Sequence, residues 1–348
     1  MKKKLFLKLS AIFIVFFAVT QFTALNAAET NLNSAPAKPA DEIEEILGRY
    51  EYLLNTAETF LIYENNSKIL IDDGKKRLSL TKKSPNTFLI ENGGEKMPHE
   101  IHFMKTKKGA SKLLKIGGEK YIQKTYDALY KIKPVRSVDE IRREAYLALP
   151  PGESDATLEA GLVELSTLDA AFKFDIRYAT TNNFMGAKFY ESPRAYLRKP
   201  AANALSYVSK MLRARGLGII IYDAYRPWYV TRMFYDATPD EQKNFVADPS
   251  KGSRHNRGSA VDIGLYDIAS GETIDMGSGY DEFSERAYPD FIGGTSRSRW
   301  YRTLLRNCMN KAGFDVYDCE WWHFDYKPNA GKYPIMNLKF DEVDRARN

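Results

Sequence analysis

Two cysteines, four histidines and four tryptophans are a small stock of specialised side chains for 348 residues. Cys308 and Cys319 are too few for a cysteine-built zinc site. They read equally as one disulfide closing a short loop in an exported protein and as two buried free thiols. Past the first 30 residues no apolar run is long enough to cross a bilayer. No internal repeat or low-complexity tract appears. The excess of positive charge is also thin. Removing residues 1–28 takes away four lysines and no acid, and the formal net charge falls from +6 to +2. That balance does not call for a nucleic-acid partner. What remains is a globular composition, 44% hydrophobic with negative mean hydropathy, sized for one large domain or two ordinary ones.

The N-terminus stands apart. "MKKKLFLKLSAIFIVFFAVTQFTALNAAET" combines a lysine-rich start, an apolar run from Leu9 to Val19 and small residues at Ala27 and Ala28. This is the pattern of a signal peptide over residues 1–28. It predicts export to the periplasm or cell envelope, with no membrane span in the mature chain. Residues 29–41 are polar and proline-bearing and read as a disordered tether. In "DEIEEILGRYEYLLNTAETF", Ile43, Ile46, Leu47, Tyr50, Leu53 and Leu54 recur at helical spacing, which predicts a helix.

From residue 60 to 125, short apolar runs alternate with turn signals such as "ENNS", "DDGK", "KSPN" and "ENGG". Even spacing of this kind predicts an antiparallel meander or small barrel, and a β-rich N-terminal domain over 42–130. Lys68 to Lys133 holds 16 basic against 7 acidic residues. Such a face is a solvated sheet surface or one attracted to an anionic envelope polymer. His99 and His102, three apart on a strand, point to opposite faces and do not share a metal. Residues 131–156 read as a linker with a short helix, ended by Pro150-Pro151. Over 157–348, strand-like segments ("LVELSTL", "LGIIIYDAYRP", "FDVYDCEWWHFDY") interleave with helical ones ("AANALSYVSKMLRARG", "SRSRWYRTLLRNCMNKAG") without regular βαβ alternation. The class is α+β.

Three stretches of this second domain carry chemistry. In "SRHNRGSAVDIGLYD", a strand puts Ala260, Asp262 and Gly264 on one face and Val261, Ile263 and Leu265 on the other. Asp262 therefore sits among small neighbours, while Gly258 lets the chain turn and bring His255 back. Alone, the pair reads equally as two zinc ligands and as a capping carboxylate with a surface imidazole. "CEWWHFDY" adds Glu320 and His323. His255, Asp262 and His323 complete the three protein ligands of a catalytic zinc site, leaving Glu320 free as general base. A flat strand would point Glu320 and His323 to opposite faces, so an irregularity is expected between them. In "IYDAYRPWYV", Arg226 ends an apolar strand and could stabilise an oxyanion, with Asp223 orienting it.

With these residues in place, the chain resembles the D-alanyl-D-alanine dipeptidase family, within the wider zinc D-Ala-D-Ala peptidase superfamily. The resemblance lies in "FDIRYATTNNFMG", "YDAYRP", "SRHNRGSAVDIGLYD", "IDMGSGYDEFSERA" and "CEWWHFDY", over roughly residues 160–335. It implies a hedgehog-like α+β fold with a central antiparallel sheet and flanking helices. It implies one Zn2+ held by His255, Asp262 and His323, Glu320 as base and Arg226 as transition-state stabiliser. For substrate binding it implies Asp281 on a free ammonium, Ser253 near the C-terminal end and Tyr178 on the amino side, with Asp223 beside them. The implied reaction is hydrolysis of D-Ala-D-Ala in cell-wall metabolism. The alternatives are a D,D-carboxypeptidase acting on peptidoglycan stem peptides, or a non-catalytic zinc- or wall-binding module. Typical members act in the cytoplasm, so the signal peptide and the β-rich region, which the resemblance does not cover, are departures.

Overall fold

The computed structural model describes residues 34–105, 112–126, 131–153, 158 and 161–347, and the expected signal peptide lies outside them. Ala35–Asn348 form one compact unit. A single helical turn, α1 (Asp41–Glu44), leads into eight strands: β1 (Gly48–Tyr52), β2 (Asn55–Asn65), β3 (Lys68–Asp72), β4 (Arg77–Ser84), β5 (Thr87–Asn92), β6 (Glu95–Lys105), β7 (Lys112–Ile116) and β8 (Glu119–Gln123). They form a closed barrel in sequence order. β1 pairs with β8, Tyr50 opposite Gln123. Tyr50, Ile62, Phe88, Ile101 and Leu114 fill the interior, and closure leaves no open edge for another chain to pair with. His102 lies on β6 opposite Thr87, an ordinary sheet position.

The long helix expected from Asp41 to Phe60 is not there. Gly48 adopts φ +145°, a backbone conformation L side chains rarely take, and the chain leaves as a strand. Ile46 and Tyr50 are buried because they plug the barrel's end, the Tyr50 hydroxyl donating to the Ile46 carbonyl at 3.0 Å. Leu53 and Leu54, counted in the same stripe, are exposed between β1 and β2. Within the tether expected over 29–41, the Pro36 carbonyl accepts from Arg297 Nη1 at 2.9 Å.

The segment after the barrel lies against the second region. Its helix α2 (Val138–Leu147) buries Ile141 and Ala145, and Tyr146 meets the Tyr229 ring at 4.8 Å between centroids. Then follow β9 (Leu162–Glu164), β10 (Lys173–Phe174), β11 (Tyr196–Arg198), α3 (Lys199–Arg213), β12 (Leu217–Asp223), α4 (Trp228–Ala237), β13 (Ala260–Asp267), α5 (Ser296–Lys311), β14 (Phe314–Tyr317), β15 (Glu320–Tyr326) and α6 (Phe340–Arg347). The α+β class stands, with one correction. The sheet, in order β10-β12-β13-β15-β14, is mixed rather than antiparallel, because β10 runs parallel to β12. The β-rich region beside it takes the barrel form, the second of the two expected. Cys308 and Cys319 are free thiols, so the disulfide reading falls.

Two carboxylates fasten barrel to sheet domain. Glu64 on β2 is 4% exposed. It accepts from the Ser296 amide (2.6 Å) and hydroxyl (3.2 Å) at the first turn of α5, and from the Ser67 amide at 2.5 Å. A carboxylate there satisfies amides with no partner inside the helix and complements its dipole. Glu285 is the second: Arg49 of β1 donates to both its oxygens through Nε and Nη2, the latter at 2.6 Å. Burial would raise the Glu285 carboxyl, but the Arg49 hydrogen bonds and charge hold it below the ordinary 4.5.

Glu64→Ala leaves buried donors without an acceptor and is expected to cost about 1–3 kcal/mol in a urea unfolding titration; an unchanged midpoint would remove Glu64 from the interface. Because the folded Glu285 carboxyl lies below 4.5, its contribution is present above that pH and lost as pH falls through the lowered folded value. Glu285→Gln is therefore expected to flatten the acid limb of the stability curve, read from melting temperature against pH.

Candidate active site

Strands β12, β13 and β15 lie side by side, and their register sets the site. Asp262 on β13 stands opposite His323 on β15 and opposite Asp223 at the end of β12. His255 arrives from the short 3-10 turn before β13, which ends at Gly258 with φ +64°. A Cβ there would meet Leu162 Cδ2 at 2.6 Å, so both conformation and space require glycine. Gly264 is held to glycine by space alone, since a Cβ would lie 2.6 Å from the Tyr222 hydroxyl. The expected irregularity in β15 is present: Val316 pairs with Phe324, but Tyr317 pairs with Glu320. That slip brings Glu320 round to the side of His323.

Three donor atoms converge. His255 Nε2 lies 3.1 Å from His323 Nδ1 and 3.3 Å from Asp262 Oδ1. His323 Nδ1 lies 3.0 Å from the same oxygen. The outer ring nitrogens are already committed: His255 Nδ1 to the Ala224 carbonyl at 2.6 Å, His323 Nε2 to Asp325 Oδ1 at 3.0 Å. A carbonyl can only accept, so the His255 proton sits on Nδ1 and its Nε2 presents a lone pair inward. Two ring nitrogens 3.1 Å apart cannot both carry a proton on the shared axis. Zinc–nitrogen bonds of about 2.0–2.1 Å in a tetrahedron put ligand atoms about 3.3 Å apart. The observed triangle fits, and His255, Asp262 and His323 form a group able to hold one metal ion.

Glu320 Oε2 lies 3.9 Å from His323 Nδ1, with 15% of its side chain exposed. Burial and the charge of Asp262 push its carboxyl up to about 7, against the pull of His323 and Arg226. Arg226 gives Nε to Asp223 Oδ2 at 2.9 Å and has Nη2 3.8 Å from Asp262 Oδ2. Its guanidinium lies over the Tyr178 and Phe234 rings, 5.2 and 5.0 Å from their centroids. Asp223 is 1% exposed, and its other oxygen accepts from the Tyr190 hydroxyl at 2.7 Å. Grouped with the substrate contacts from sequence, Asp223 is instead a buried support that fixes the Arg226 plane.

The remaining expected residues divide. Asp281 is buried in a left-handed conformation (φ +59°) and accepts from the Tyr178 hydroxyl at 3.2 and 3.0 Å. Burial, with the charges of Asp262 and Glu320, raises the Asp281 carboxyl well above the ordinary range, against Arg226 and the Tyr178 hydrogen bond. A cavity of about 50 Å³ lies beside it, with Lys131, Arg177, Asn183, Phe184 and Tyr280 in its wall. Ser253 Oγ accepts from the His255 amide at 3.2 Å, which makes it part of the turn that delivers His255.

A family model described as D-ala-D-ala dipeptidase matches residues 158–343. The D-alanyl-D-alanine dipeptidase of Escherichia coli (strain K12) is 36% identical over 179 residues, covering 51% of this chain and 91% of that protein. The D-alanyl-D-alanine dipeptidase of Enterococcus faecium is 30% identical over 202 residues, covering 53% and 98%. That of Enterococcus faecalis (strain ATCC 700802 / V583) is 31% identical over 204 residues, with the same coverage. The chain belongs to the D-Ala-D-Ala dipeptidase family. Its members are zinc metallopeptidases, and the converging triad supplies a matching set of donors. The match begins after the barrel and after α2, so those parts are additions to the family's common segment.

Several members of this D-Ala-D-Ala dipeptidase site escape a reading of the sequence. Asp325 orients His323, and a signal for it was present: two positions on along a strand, it shares a face with that histidine. Tyr280 Oη donates to Asp262 Oδ2 at 3.0 Å, and Tyr190 supports Asp223; no local pattern ties either to its partner. The Ala224 carbonyl that sets the His255 tautomer has no side chain to notice. Partners of this kind hold a ligand's orientation and basicity. Asp325→Asn is expected to weaken zinc affinity by about 10–100-fold in a competition titration against a chromophoric chelator; unchanged affinity would show that Asp325 does not support the triad.

Proposed function

We propose that this protein hydrolyses the peptide bond of D-Ala-D-Ala, releasing two molecules of D-Ala in cell-wall metabolism. The observation that carries the reading is the convergence of His255, Asp262 and His323 at 3.0–3.3 Å, with Glu320 and Arg226 beside them. One Zn2+ would be held by His255 Nε2, Asp262 Oδ1 and His323 Nδ1. It would supply Lewis-acid polarisation and a lowered water pKa.

The chain's own groups do the rest. Glu320 accepts a proton from the attacking water, whose oxygen bonds to the scissile carbonyl carbon. When the C–N bond breaks, Glu320 returns that proton to the leaving amine nitrogen. Arg226 offers a fixed positive charge to the oxygen on which negative charge builds; locked by Asp223 and two ring faces, it need not reorganise as the charge appears. Asp281 takes the dipeptide's ammonium. Its raised carboxyl supports this role, since an arriving cation supplies the counter-charge it lacks. Tyr178 holds Asp281 from behind. Ser253 acts near the substrate's C-terminal end through the turn it shapes.

We further infer export to the periplasm or cell envelope. The support is the pattern of residues 1–28, and N-terminal sequencing of the protein recovered from the envelope fraction tests it.

The zinc-loaded protein is expected to release D-Ala from D-Ala-D-Ala. Glu320→Ala is expected to keep stoichiometric zinc and lose about 10²–10⁴-fold in kcat. Release of D-Ala from a stem pentapeptide but not from the dipeptide would move the assignment to a D,D-carboxypeptidase. A Glu320→Ala variant with full activity would refute the proton-transfer role.

A further inference from the structure

The family segment begins at residue 158, yet residues well before it reach the loop that carries Asp281. That loop runs from Ser278 to Glu285. At one end Tyr280 hydrogen-bonds Asp262 and stacks on Tyr222 at 4.6 Å. Its middle is braced from inside, where Glu282, fully buried, accepts from the Ser284 hydroxyl at 2.5 Å. Its far end is held from outside. Arg49 of the barrel grips both oxygens of Glu285, and Tyr126, just after the barrel, donates to Glu285 Oε1 at 3.0 Å. The Tyr126 ring is buried and carries the Arg286 guanidinium 4.7 Å from its centroid. Phe184, also in the wall of the Asp281 cavity, accepts at its carbonyl from the Ile132 amide at 2.9 Å, and its ring packs on Phe283 at 5.1 Å.

We propose that Arg49 and Tyr126 are positioning residues for substrate recognition: from the barrel side they fix Glu285, and through it the loop that presents Asp281 to the substrate ammonium. This rests on the dipeptidase reading above. Arg49 and Glu285 are 25% and 30% exposed, so beyond the acid-sensitive contribution already assigned to it the pair adds only modest stability. Their value is geometric. A two-pronged guanidinium–carboxylate contact fixes orientation as well as distance, and the Tyr126 hydroxyl adds a third direction. Glu285 lies four residues beyond Asp281, whose left-handed backbone allows little slack. A loosened loop end would let Asp281 drift from the ammonium while leaving the zinc ligands on their strands.

The test compares substrate dependence in the full zinc-loaded protein. Arg49→Met is expected to raise the KM for D-Ala-D-Ala on the order of tenfold with kcat within about twofold. The inhibition constant of propionyl-D-Ala, which lacks the ammonium, is expected to stay put. Arg49→Lys keeps the charge but loses the two-pronged contact; it guards against misfolding of the first variant and is expected to raise KM about threefold. Exchanging the pair, Arg49→Glu with Glu285→Arg, is expected to restore most of the KM. An unchanged KM in Arg49→Met, or parallel loss for dipeptide and propionyl-D-Ala, overturns the positioning role. A wild-type chain that binds zinc and leaves D-Ala-D-Ala intact would sink the dipeptidase reading and this inference with it.

Discussion

Three donor atoms on two adjacent strands and one tight turn face a common point, an arrangement suited to one metal ion. The rest of the site follows from that constraint. Each imidazole needs its second nitrogen committed elsewhere, which explains why the Ala224 carbonyl and Asp325 lie where they do. The carboxylate between them needs its free oxygen tied down, which Tyr280 does. Small residues are needed to let the strands and the turn approach. Gly258 and Gly264 are glycines because a Cβ at either would collide with a fixed neighbour.

The neighbourhood is also short of positive charge. Asp223, Asp262, Asp281 and Glu320 all point into one low-dielectric region, and Arg226 is the guanidinium that answers them. Charges of one sign in such a place cannot all remain ionised at no cost. The consequences are visible in Glu320 and Asp281, whose carboxyls are pushed upward by burial and by the charge of Asp262. On the proposed reading, a divalent cation and the substrate's ammonium would supply the positive charge that the folded chain itself omits.

The barrel adds a second theme. It has a filled interior of its own and no open strand edge, yet two of its strands send polar side chains into the sheet domain. Glu64 satisfies the first turn of α5, and Arg49 clasps the loop after Asp281. Both contacts are polar and directional. They fix one domain's orientation on the other.

The residues that converge on the candidate site were legible in the sequence because each piece was local. His255 and Asp262 lie seven residues apart around a glycine turn; Glu320 and His323 lie three apart on one strand. The α+β class and the run of short strands were legible for the same reason, since turn chemistry and alternation act within a few residues. The misreading was of another kind: a helical stripe over Asp41–Phe60 was a coincidence of residues buried by a barrel end and residues exposed in a turn. That Asp223 orients Arg226 was legible three residues away, but nothing local reveals the Tyr190 hydroxyl behind it. The sequence alone thus determined which donor groups exist and which could share a face. Tertiary structure alone decided which nitrogen of each histidine turns inward, which carboxylates are held ionised and which are pushed up, and that a barrel arginine reaches Glu285. Apart from Asp325, two residues from His323, those outcomes depend on desolvation and on partners tens to hundreds of residues away, and no short-range pattern carries that information.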